Sequence, residues 1–232
     1  MKKISIVTPC YNEELNVELL YHRVKAQFDK LDDYCYEHIF IDNASEDRTV
    51  EILKDIASND SEVKIIVNSR NFGHIRSPQH GLMQGSGDAT MFMVADLQDP
   101  PELIPEFIEK WEQGHELVIG VKNDSAESPL MFLIRRSYYG LVSMLSETKL
   151  EKNFYGFGLY DKKIIGIIKG IPDPYPYLRG LLMDVGFSVA KIYYKQPERH
   201  RGITKNNFFS LYDMAMLGIC SHSKMPLRLA TI

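Results

Sequence analysis

Hydrophobic and polar residues alternate in blocks along the first 121 residues of the chain. Short apolar runs, rich in β-branched residues, predict strands at residues 4–7, 38–41, 63–67, 89–95 and 117–121. Between them, apolar positions recur at helical spacing and predict helices near residues 17–31, 50–57, 75–84 and 101–111. Strands that are apolar throughout and joined by helices are typical of a mostly parallel sheet covered on both faces. The sequence therefore predicts an α/β fold.

Polar clusters follow four of these predicted strands. In chain order they are Tyr11-Asn12-Glu13, Asp42-Asn43, Arg70-Asn71 and Asp96 with Gln98. Capping and turn residues also collect at strand ends, so a single cluster would mean little. Ligands of open parallel sheets bind beyond the carboxyl ends of the strands, and four clusters on one edge favour such a site.

The pattern changes after residue 121. We predict a loop at residues 125–129, a helix at 130–145, a glycine–aromatic stretch at 154–158 and a late strand at 191–194. A basic loop follows at residues 198–205, and an apolar helix is predicted at 208–220. This second part of the chain lacks the regular strand–helix alternation of the first.

Composition narrows the class of protein. A formal net charge of −4 argues against a protein that coats nucleic acid, and we expect no nucleic-acid partner. Cys10, Cys35 and Cys220 are widely spaced, which favours a reducing compartment over a disulfide framework. The sequence shows no secretory signal and no run of roughly 18 apolar residues. We therefore expect the chain as given to be soluble or peripheral, and cytoplasmic.

Residues 94–101, with the sequence VADLQDPP, end the fourth predicted strand. Asp96 and Gln98 are two residues apart in a segment taken as extended, so both side chains should point to one side. Their oxygens suit Mg²⁺ or Mn²⁺, which often bind through one or two protein groups plus substrate phosphates. A nucleotide diphosphate would complete such a site, although neither the G-x-G-x-x-G nor the P-loop fingerprint follows the first strand. We interpret Asp99 as the N-cap of the next helix.

Several segments together resemble glycosyltransferase family 2, whose members have the GT-A fold. They are residues 5–14 (SIVTPCYNEE), 41–49 (IDNASEDRT) and 71–74 (NFGH). Residues 95–101 (ADLQDPP) narrow the resemblance to the branch that glycosylates polyprenyl phosphates, which includes dolichol-phosphate mannose synthase and bacterial relatives. Residues 156–161 (GFGLYD) and 201–205 (RGITK) look like later motifs of that branch. The resemblance covers essentially the whole chain and implies a mostly parallel sheet with a Rossmann-like nucleotide-binding half.

The resemblance also implies roles for single residues. Asp96 and Gln98 would hold Mg²⁺ or Mn²⁺ against the diphosphate of the donor. Lys122 and Arg136 would grip the lipid phosphate, and Asp161 would position the acceptor or donor or act as an auxiliary base. For Asp161, an N-cap role in the following helix is an equally good interpretation. The residues implied in binding the nucleotide-sugar are Pro9, Tyr11, Asn12, Glu13, Asp42, Arg70, Arg201 and Lys205.

The implied reaction is an inverting, single-displacement transfer of a sugar from a nucleotide-sugar donor to a polyprenyl-phosphate acceptor. A phosphate monoester is already anionic near pH 7, so the reaction needs no strong general base. Positioning and charge neutralisation should supply most of the acceleration. We expect Asp96, Asp161, Arg136 and Lys122 to take part in catalysis.

Val94 is a departure from the wider family, because many members carry the first acid of an Asp-x-Asp motif at this position. Alternation along the strand would point Val94 to the same side as Asp96, so the second carboxylate is absent from that site. Related polyprenyl-phosphate enzymes resemble this form, with Gln98 as the further ligand. We therefore expect weak or loosely selective metal binding.

We predict a GT-A domain over residues 1–205, with a nucleotide-sugar-binding half at 1–121 and an acceptor half at 122–205. Residues 206–232 are predicted as a C-terminal amphipathic helix and a candidate juxtamembrane segment, because relatives continue here into membrane-spanning helices. Residues 208–220 suit a buried helix or a helix on a membrane surface equally well. We expect the protein at the cytoplasmic face of the membrane, peripheral as given and anchored if the chain is longer. A homo-oligomer is compatible with the sequence.

Two alternative functions stay open at this point. A transferase that acts on a saccharide or protein hydroxyl would need a true general base, for which Asp161 is the candidate. A non-catalytic nucleotide-binding protein is favoured by Val94 but disfavoured by the presence of Asp96 and Gln98.

Overall fold

A computed structural model describes residues 1–123 and 151–197, together with Met216. The strands of these residues are β1 (Lys2–Cys10), β2 (Tyr34–Asp42), β3 (Val63–Val67), β4 (Ala89–Phe92), β5 (Leu117–Lys122), β6 (Phe154–Asp161) and β7 (Val189–Tyr194). The α-helices are α1 (Val17–Phe28), α2 (Thr49–Asn59), α3 (Gly73–Leu82), α4 (Ile104–Glu112), α5 (Lys162–Lys169) and α6 (Leu178–Asp184). A 3₁₀ turn, Pro101–Leu103, leads into α4.

The strands and helices predicted for the first 121 residues are confirmed, with changes at their ends. β1 and β2 are longer than predicted, because each pairs with the other along its whole length. β4 is shorter and ends at Phe92, since the amide of Val94 donates to the side chain of Asp99 (3.3 Å) instead of to a neighbouring strand. The late strand also begins earlier than predicted, at Val189.

The seven strands of the described residues form one sheet in the order β3-β2-β1-β4-β6-β5-β7. All neighbouring pairs are parallel except those of β6, which runs antiparallel to β4 and to β5. The mostly parallel sheet is therefore confirmed. The glycine–aromatic stretch was not predicted as a strand, and it forms the antiparallel one.

Helices cover both faces of the sheet. One core cluster joins inward residues of β1, such as Ile4 and Ile6, to Leu20 of α1 and Phe107 of α4. The second cluster joins Leu117 of β5 to the buried residues of α3, α5 and α6, which include Leu82, Ile164 and Leu182. The two clusters fix the sheet between two helical layers, so the loops at the strand ends start from a rigid base.

The strand ends form two opposite sides of the sheet, which differ in the residues that lie there. We call the side where the parallel strands finish the carboxyl edge, and the side where they begin the amino edge. β1 pairs with β2 on one side and with β4 on the other, so their carboxyl ends flank a topological switch point. Because β6 is antiparallel, Phe154 at its start pairs with Val121 near the carboxyl edge, while Asp161 at its end pairs with Ala89 at the amino edge.

Several predicted features lie outside the described residues. They are the loop at 125–129, the helix at 130–145, the basic loop at 198–205, and Arg136, Arg201 and Lys205. Met216, inside the predicted helix at 208–220, is helical. Among the residues that the structure describes, no helix has the length and apolar character needed to cross a membrane. The division into the halves 1–121 and 122–205 stays a prediction.

Candidate functional site

The loops after β1 and β2 are held together by hydrogen bonds. The amide of Asn12 donates to Oγ of Ser45 (2.8 Å), and Oδ1 of Asn12 accepts from the amide of Glu46 (2.8 Å). The amide of Glu13 donates to Oγ1 of Thr49 (2.8 Å) at the start of α2. Asn12 reaches these contacts with a left-handed backbone (φ 55°), which Asn tolerates better than most residues. The two loops therefore form one unit at the carboxyl edge.

Asp42 supports this unit from below. Its side chain is fully buried, and its two oxygens accept from the amide (3.0 Å) and the hydroxyl of Ser45. The side chain of Asp42 thus holds the turn at Ser45 in place, and its role in binding the nucleotide-sugar stays a prediction. Pro9 and Tyr11 lie half-buried at the end of β1 beside it, in positions that a ligand at this edge can reach.

The loop after β3 is attached to β2 through Asn43. Nδ2 of Asn43 donates to Oδ1 of Asn71 (2.8 Å), and Oδ1 of Asn43 accepts from the amide of Phe72 (2.9 Å). Arg70 is exposed on this loop, with its guanidinium carbon 4.0 Å from the centre of the Phe72 ring. Arg70 thus stands at the carboxyl edge as predicted for a residue that meets the donor, although that role stays a prediction.

Asp96 and Gln98 follow β4 in a turn, so the expectation of an extended segment is wrong. Leu97 between them has φ 61°, and Oδ1 of Asp96 accepts from the amide of Gln98 (3.1 Å). Both side chains are half-buried at the carboxyl edge. The turn, rather than strand alternation, sets where their oxygens point.

Asp99 is not the predicted N-cap. The 3₁₀ turn that follows has Pro100 at its cap position and no capping side chain. Asp99 is instead buried, with its oxygens accepting from the amide of Val94 (3.3 Å) and from the hydroxyl of Tyr194 in β7 (2.9 Å). Burial raises the pKa of the Asp99 carboxyl to about 6, although the nearby ammonium of Lys122 opposes the shift. Asp99 therefore fixes the turn after β4 to the far strand of the sheet.

Lys122 ends β5 beside these carboxylates. Burial lowers the pKa of its ammonium, and the charges of Asp99 and Asp96 act against that shift. Its Nζ lies 4.5 Å from the centre of the Tyr155 ring, a distance at which a cation is attracted to an aromatic face. The structure thus places Lys122 near Asp96 at the carboxyl edge, while its contact with a lipid phosphate stays a prediction.

Tyr155 and Arg179 also belong to this edge, and the sequence did not identify them. The guanidinium of Arg179 lies 5.6 Å from the Tyr155 ring and donates to the carbonyl oxygen of Phe154 (3.2 Å). Recognising the glycine–aromatic stretch as an antiparallel strand would have placed Tyr155 there. No spacing in the sequence indicates that Arg179 meets it.

Asp161 does not belong to the site, which corrects its predicted role beside the donor or acceptor. It pairs with Ala89 at the amino edge, across the sheet from Asp96. Its Oδ1 accepts from the amide of Lys163 (2.9 Å), so it is the N-cap of α5, and its Oδ2 accepts from Nε1 of Trp111 (2.9 Å). The N-cap interpretation, which the sequence left open, is confirmed.

The oxygen atoms that the protein offers at this edge suit a metal ion that is bound partly by the protein and partly by a bound substrate. Within the described ranges, no group of three His, Cys, Asp or Glu side chains could hold an ion alone. Asp96 and Gln98 offer a carboxylate and an amide oxygen, which fits an ion that is also bound by substrate phosphates and water. Val94 is half-buried and packs against the second core cluster, so it adds no ligand.

The fold is that of an α/β protein with a candidate ligand site at a topological switch point. Comparison with known proteins gives the family: residues 5–162 match the model of Glycosyl transferase family 2, and the chain belongs to that family. The uncharacterized glycosyltransferase YkcC of Bacillus subtilis (strain 168) is 37% identical over 228 residues, covering 98% of this chain and 70% of that protein. The bactoprenol glucosyl transferase of Shigella phage SfV is 36% identical over 230 residues, covering 99% and 75%.

Solved structures confirm the GT-A fold. Glucosyl-3-phosphoglycerate synthase from Mycobacterium tuberculosis, solved with Mn²⁺, UDP and phosphoglyceric acid, superimposes with a TM-score of 0.65 at 21% identity. The match covers 95% of this chain and 77% of that one. The mannosyltransferase PcManGT from Pyrobaculum calidifontis, solved with GDP-Man and Mn²⁺, gives a TM-score of 0.55 at 15% identity, covering 86% and 58%.

Proposed function

We propose that this glycosyltransferase moves a sugar from a UDP- or GDP-sugar to a polyprenyl phosphate, with inversion at the anomeric carbon. Relatives named bactoprenol glucosyl transferase, about 36% identical over nearly the whole chain, support a polyprenyl acceptor. The GT-A neighbours that were solved with UDP or GDP-Man support a nucleotide-sugar donor.

The observation that carries the proposal is the position of Lys122. Its ammonium lies in electrostatic range of Asp96, the proposed metal ligand, at the edge where a donor diphosphate would sit. A cation there suits an anionic acceptor better than a neutral hydroxyl, because it offsets the repulsion between two phosphate groups. We assign Lys122 to the acceptor phosphate, together with Arg136.

In the proposed reaction, an oxygen of the lipid phosphate attacks the anomeric carbon of the donor sugar. The new carbon–oxygen bond forms as the bond to the diphosphate breaks, and the nucleoside diphosphate leaves. The attacking oxygen is already anionic near pH 7, so no side chain must remove its proton. Lys122 and Arg136 orient the acceptor, while the paired loops after β1 and β2 hold the nucleotide, with Pro9, Tyr11, Asn12 and Glu13 at their start.

A divalent cation, Mg²⁺ or Mn²⁺, would be held by Asp96 and Gln98 and would supply positive charge to the leaving diphosphate. Arg70 stands at the same edge and adds a second positive group near the nucleotide. We further assign Arg201 and Lys205 to the donor phosphates, on the strength of the resemblance alone.

Transfer to a saccharide or protein hydroxyl would need a general base, and neither candidate carboxylate is suitably placed. Asp161, the candidate base, lies at the amino edge with both oxygens hydrogen-bonded. Asp99 is at the correct edge, but it is buried and its oxygens are taken by Val94 and Tyr194. An acceptor that is already ionised fits the site better.

We place the reaction at the membrane surface, because a polyprenyl phosphate resides in lipid, and on the cytoplasmic face, where nucleotide-sugars are available. A homo-oligomer stays a prediction from the sequence.

The test incubates the protein with labelled UDP- and GDP-sugars, Mg²⁺ or Mn²⁺, and a short polyprenyl phosphate. We expect label to enter the organic phase with one donor, and no label when the phosphate-free polyprenol replaces the acceptor. Donor binding without transfer to the polyprenyl phosphate would contradict the proposal.

A matched variant tests the role of Lys122. Lys122→Met should raise the KM for polyprenyl phosphate by about tenfold or more while changing the KM for the donor little, because one charge-assisted contact is lost. An equal change in both KM values would contradict the assignment to the acceptor.

A further inference from the structure

Tyr194, the last residue of β7, joins two parts of the carboxyl edge that lie far apart in the chain. It is 5% exposed, and its hydroxyl donates to Oδ1 of Asp99 (2.9 Å) in residues 94–99, which we call the β4 turn. Its backbone carbonyl oxygen accepts from the amide of Asn123 (2.8 Å), next to Lys122 at the end of β5. One residue therefore contacts both the turn with the proposed metal ligands and the strand end with the proposed acceptor lysine.

The residues of the β4 turn alternate between buried and half-buried positions. Ala95, Leu97 and Asp99 are buried, whereas Asp96 and Gln98 between them are half-buried. Leu97 packs in the first core cluster, and its backbone is left-handed (φ 61°). The positions of Asp96 and Gln98 thus depend on how firmly their buried neighbours are held.

Asp99 is the polar anchor of the β4 turn. Its Oδ2 accepts from the amide of Val94 (3.3 Å) and its Oδ1 accepts from the hydroxyl of Tyr194, so one carboxylate closes the turn and ties it to β7. Within residues 1–123 and 151–197, Tyr194 is the only side chain that donates a hydrogen bond to Asp99. Without the Tyr194 hydroxyl, the turn would be closed by its own backbone alone.

The ring of Tyr194 is packed so that it points at Asp99. Its centre lies 5.4 Å from that of the Phe157 ring, with the two planes at 78°. It is also close to Gly120 of β5, where an added Cβ atom would lie 3.1 Å from Cε1 of Tyr194. Because close packing restricts the rotation of a side chain, the hydroxyl is directed at Asp99 before any ligand binds.

The metal site has particular need of such an anchor. Asp96 and Gln98 are the only two protein groups proposed to hold the ion, so its binding depends on the direction of both side chains. Residues that orient metal ligands from behind commonly change metal affinity roughly 10–100-fold when they are replaced. A strand of the sheet is a more rigid support for the β4 turn than the turn itself.

We propose that Tyr194 is a positioning residue for the metal site: through Asp99 it holds the β4 turn in the direction in which Asp96 and Gln98 meet the metal and the donor diphosphate. In this role Tyr194 touches neither metal nor substrate. The proposal rests on the proposed function only in assigning the metal to Asp96 and Gln98, and it makes no use of the acceptor.

Calorimetric titration with UDP and with GDP, first with Mn²⁺ and then with a chelator, tests this role. The quantity compared is the gain in affinity that Mn²⁺ gives to the nucleotide that binds. Tyr194→Phe keeps the ring and removes only the hydroxyl, and it should reduce this gain about tenfold. Nucleotide affinity without metal should stay within about twofold, because the hydrogen bonds between the loops after β1 and β2 are unchanged.

Tyr21→Phe is the matched control. Tyr21 is 8% exposed and its hydroxyl donates to Oδ2 of Asp60 (2.7 Å), so the same change removes the same kind of bond elsewhere. Asp60 lies between the end of α2 and the start of β3, at the amino edge. Both variants should melt about 2–4 °C below the unmodified protein. Only Tyr194→Phe should lose part of the Mn²⁺-dependent gain.

Asp99→Asn, alone and combined with Tyr194→Phe, tests the route through Asp99. Since Tyr194 acts through Asp99, the double variant should lose no more of the Mn²⁺-dependent gain than Asp99→Asn loses alone. Losses that add up in the double variant would contradict this route.

A Mn²⁺-dependent gain that is unchanged in Tyr194→Phe, or reduced equally in Tyr21→Phe, would overturn the proposal. So would a larger gain, which would show that Asp99 itself binds the metal once the Tyr194 hydroxyl is removed. The same holds if Mn²⁺ gives the unmodified protein no gain at all. The proposed function fails separately, when the gain responds as expected but no sugar reaches the polyprenyl phosphate.

Discussion

The two edges of the sheet treat buried charge in opposite ways. At the amino edge, Glu37 is 1% exposed and accepts hydrogen bonds from Lys3 (3.1 Å), Lys64 (2.5 Å), Ser5 (2.6 Å) and Ser86 (2.8 Å). Burial opposes its ionisation, but the bonds from Lys64 and Ser5 outweigh burial and hold the pKa of Glu37 well below its usual range. The charge is neutralised within the protein.

At the carboxyl edge, the charges of Asp99 and Lys122 are close enough to interact. Burial raises the pKa of Asp99 and lowers that of Lys122, and within the described residues no direct ion pair joins them. For both groups, the cost of burying the charge outweighs the attraction between them. The amino edge thus neutralises the charge of Glu37 within the protein, whereas the carboxyl edge, where we propose that the substrates bind, leaves Asp99 and Lys122 without a direct ion pair.

The largest expected effect is a loss of turnover when Asp96, at the carboxyl edge, is changed. Asp96→Asn removes the only carboxylate proposed to hold the metal and should lower kcat about 10²–10³-fold, with little change in melting temperature. Steady-state transfer of sugar to a short polyprenyl phosphate and thermal unfolding measure the two quantities. Chelation of divalent ions should lower the rate of the unmodified enzyme but scarcely affect the variant; equal sensitivity of both would argue against the assignment.

A second prediction concerns His38, which follows Glu37 on β2 and so faces the other side of the sheet. Burial lowers the pKa of His38 to about 3, and its Nε2 is 2.9 Å from Oγ1 of Thr8. Below pH 6.5 the imidazole of His38 becomes protonated in the unfolded chain but stays neutral in the folded one, so the free energy of unfolding decreases as pH falls. Between pH 6.5 and pH 4, the free energy of unfolding of the unmodified protein should therefore decrease by about 3 kcal/mol more than that of His38→Gln.

Denaturant unfolding across that pH range measures this difference, in which the other titrating groups cancel. A difference between His38→Gln and the unmodified protein that stays constant with pH would show that His38 is not held neutral.

A third prediction tests the neutralised charge. Glu37→Gln keeps the shape of the side chain but leaves Lys3 and Lys64 without their counter-charge, and it should lower the free energy of unfolding by about 2 kcal/mol. The kcat of the folded enzyme should stay within about threefold. Glu51→Gln, at the exposed ion pair with Arg48, is the matched control and should leave stability unchanged. A loss of kcat without a loss of stability in Glu37→Gln would contradict the view that Glu37 serves the fold and not the reaction.

The smallest effect is expected at Asp161. Asp161→Ala removes the N-cap of α5 and the partner of Trp111, so stability should fall by about 1–2 kcal/mol. The kcat should hardly change, because Asp161 lies across the sheet from Asp96. A loss of kcat comparable with that of Asp96→Asn would restore Asp161 to the catalytic group.

Much of the fold followed from the sequence because the signals in residues 1–121 are local. Each strand there is a short apolar run, and each helix has one apolar face, so burial selects the same elements wherever they are placed. The polar clusters after β1 to β4 were also readable, since parallel strands bring their carboxyl ends to one edge. On that basis Asp96, Gln98 and Arg70 were expected at the edge where they are found.

The errors arose where long-range pairing decides position. Asp99 has the local sequence of a helix cap, but Tyr194 in β7 and the burial of the turn make it a core carboxylate. Asp161 follows the glycine–aromatic stretch, and its edge depends on the direction of β6, which local sequence does not determine. The turn at Leu97 likewise could not be read from residue spacing.

By itself, the sequence determined the strand–helix alternation, the family motifs and the chemistry available at the carboxyl edge, because these depend on residue type and local period. Contacts between residues far apart in the chain depend on the tertiary structure instead. Inserting β6 in the antiparallel direction between β4 and β5 brings Tyr155 to Lys122 and moves Asp161 to the amino edge. Hydrogen bonding between strands is almost independent of side-chain type, so strand order and direction are set by the packing of the whole sheet.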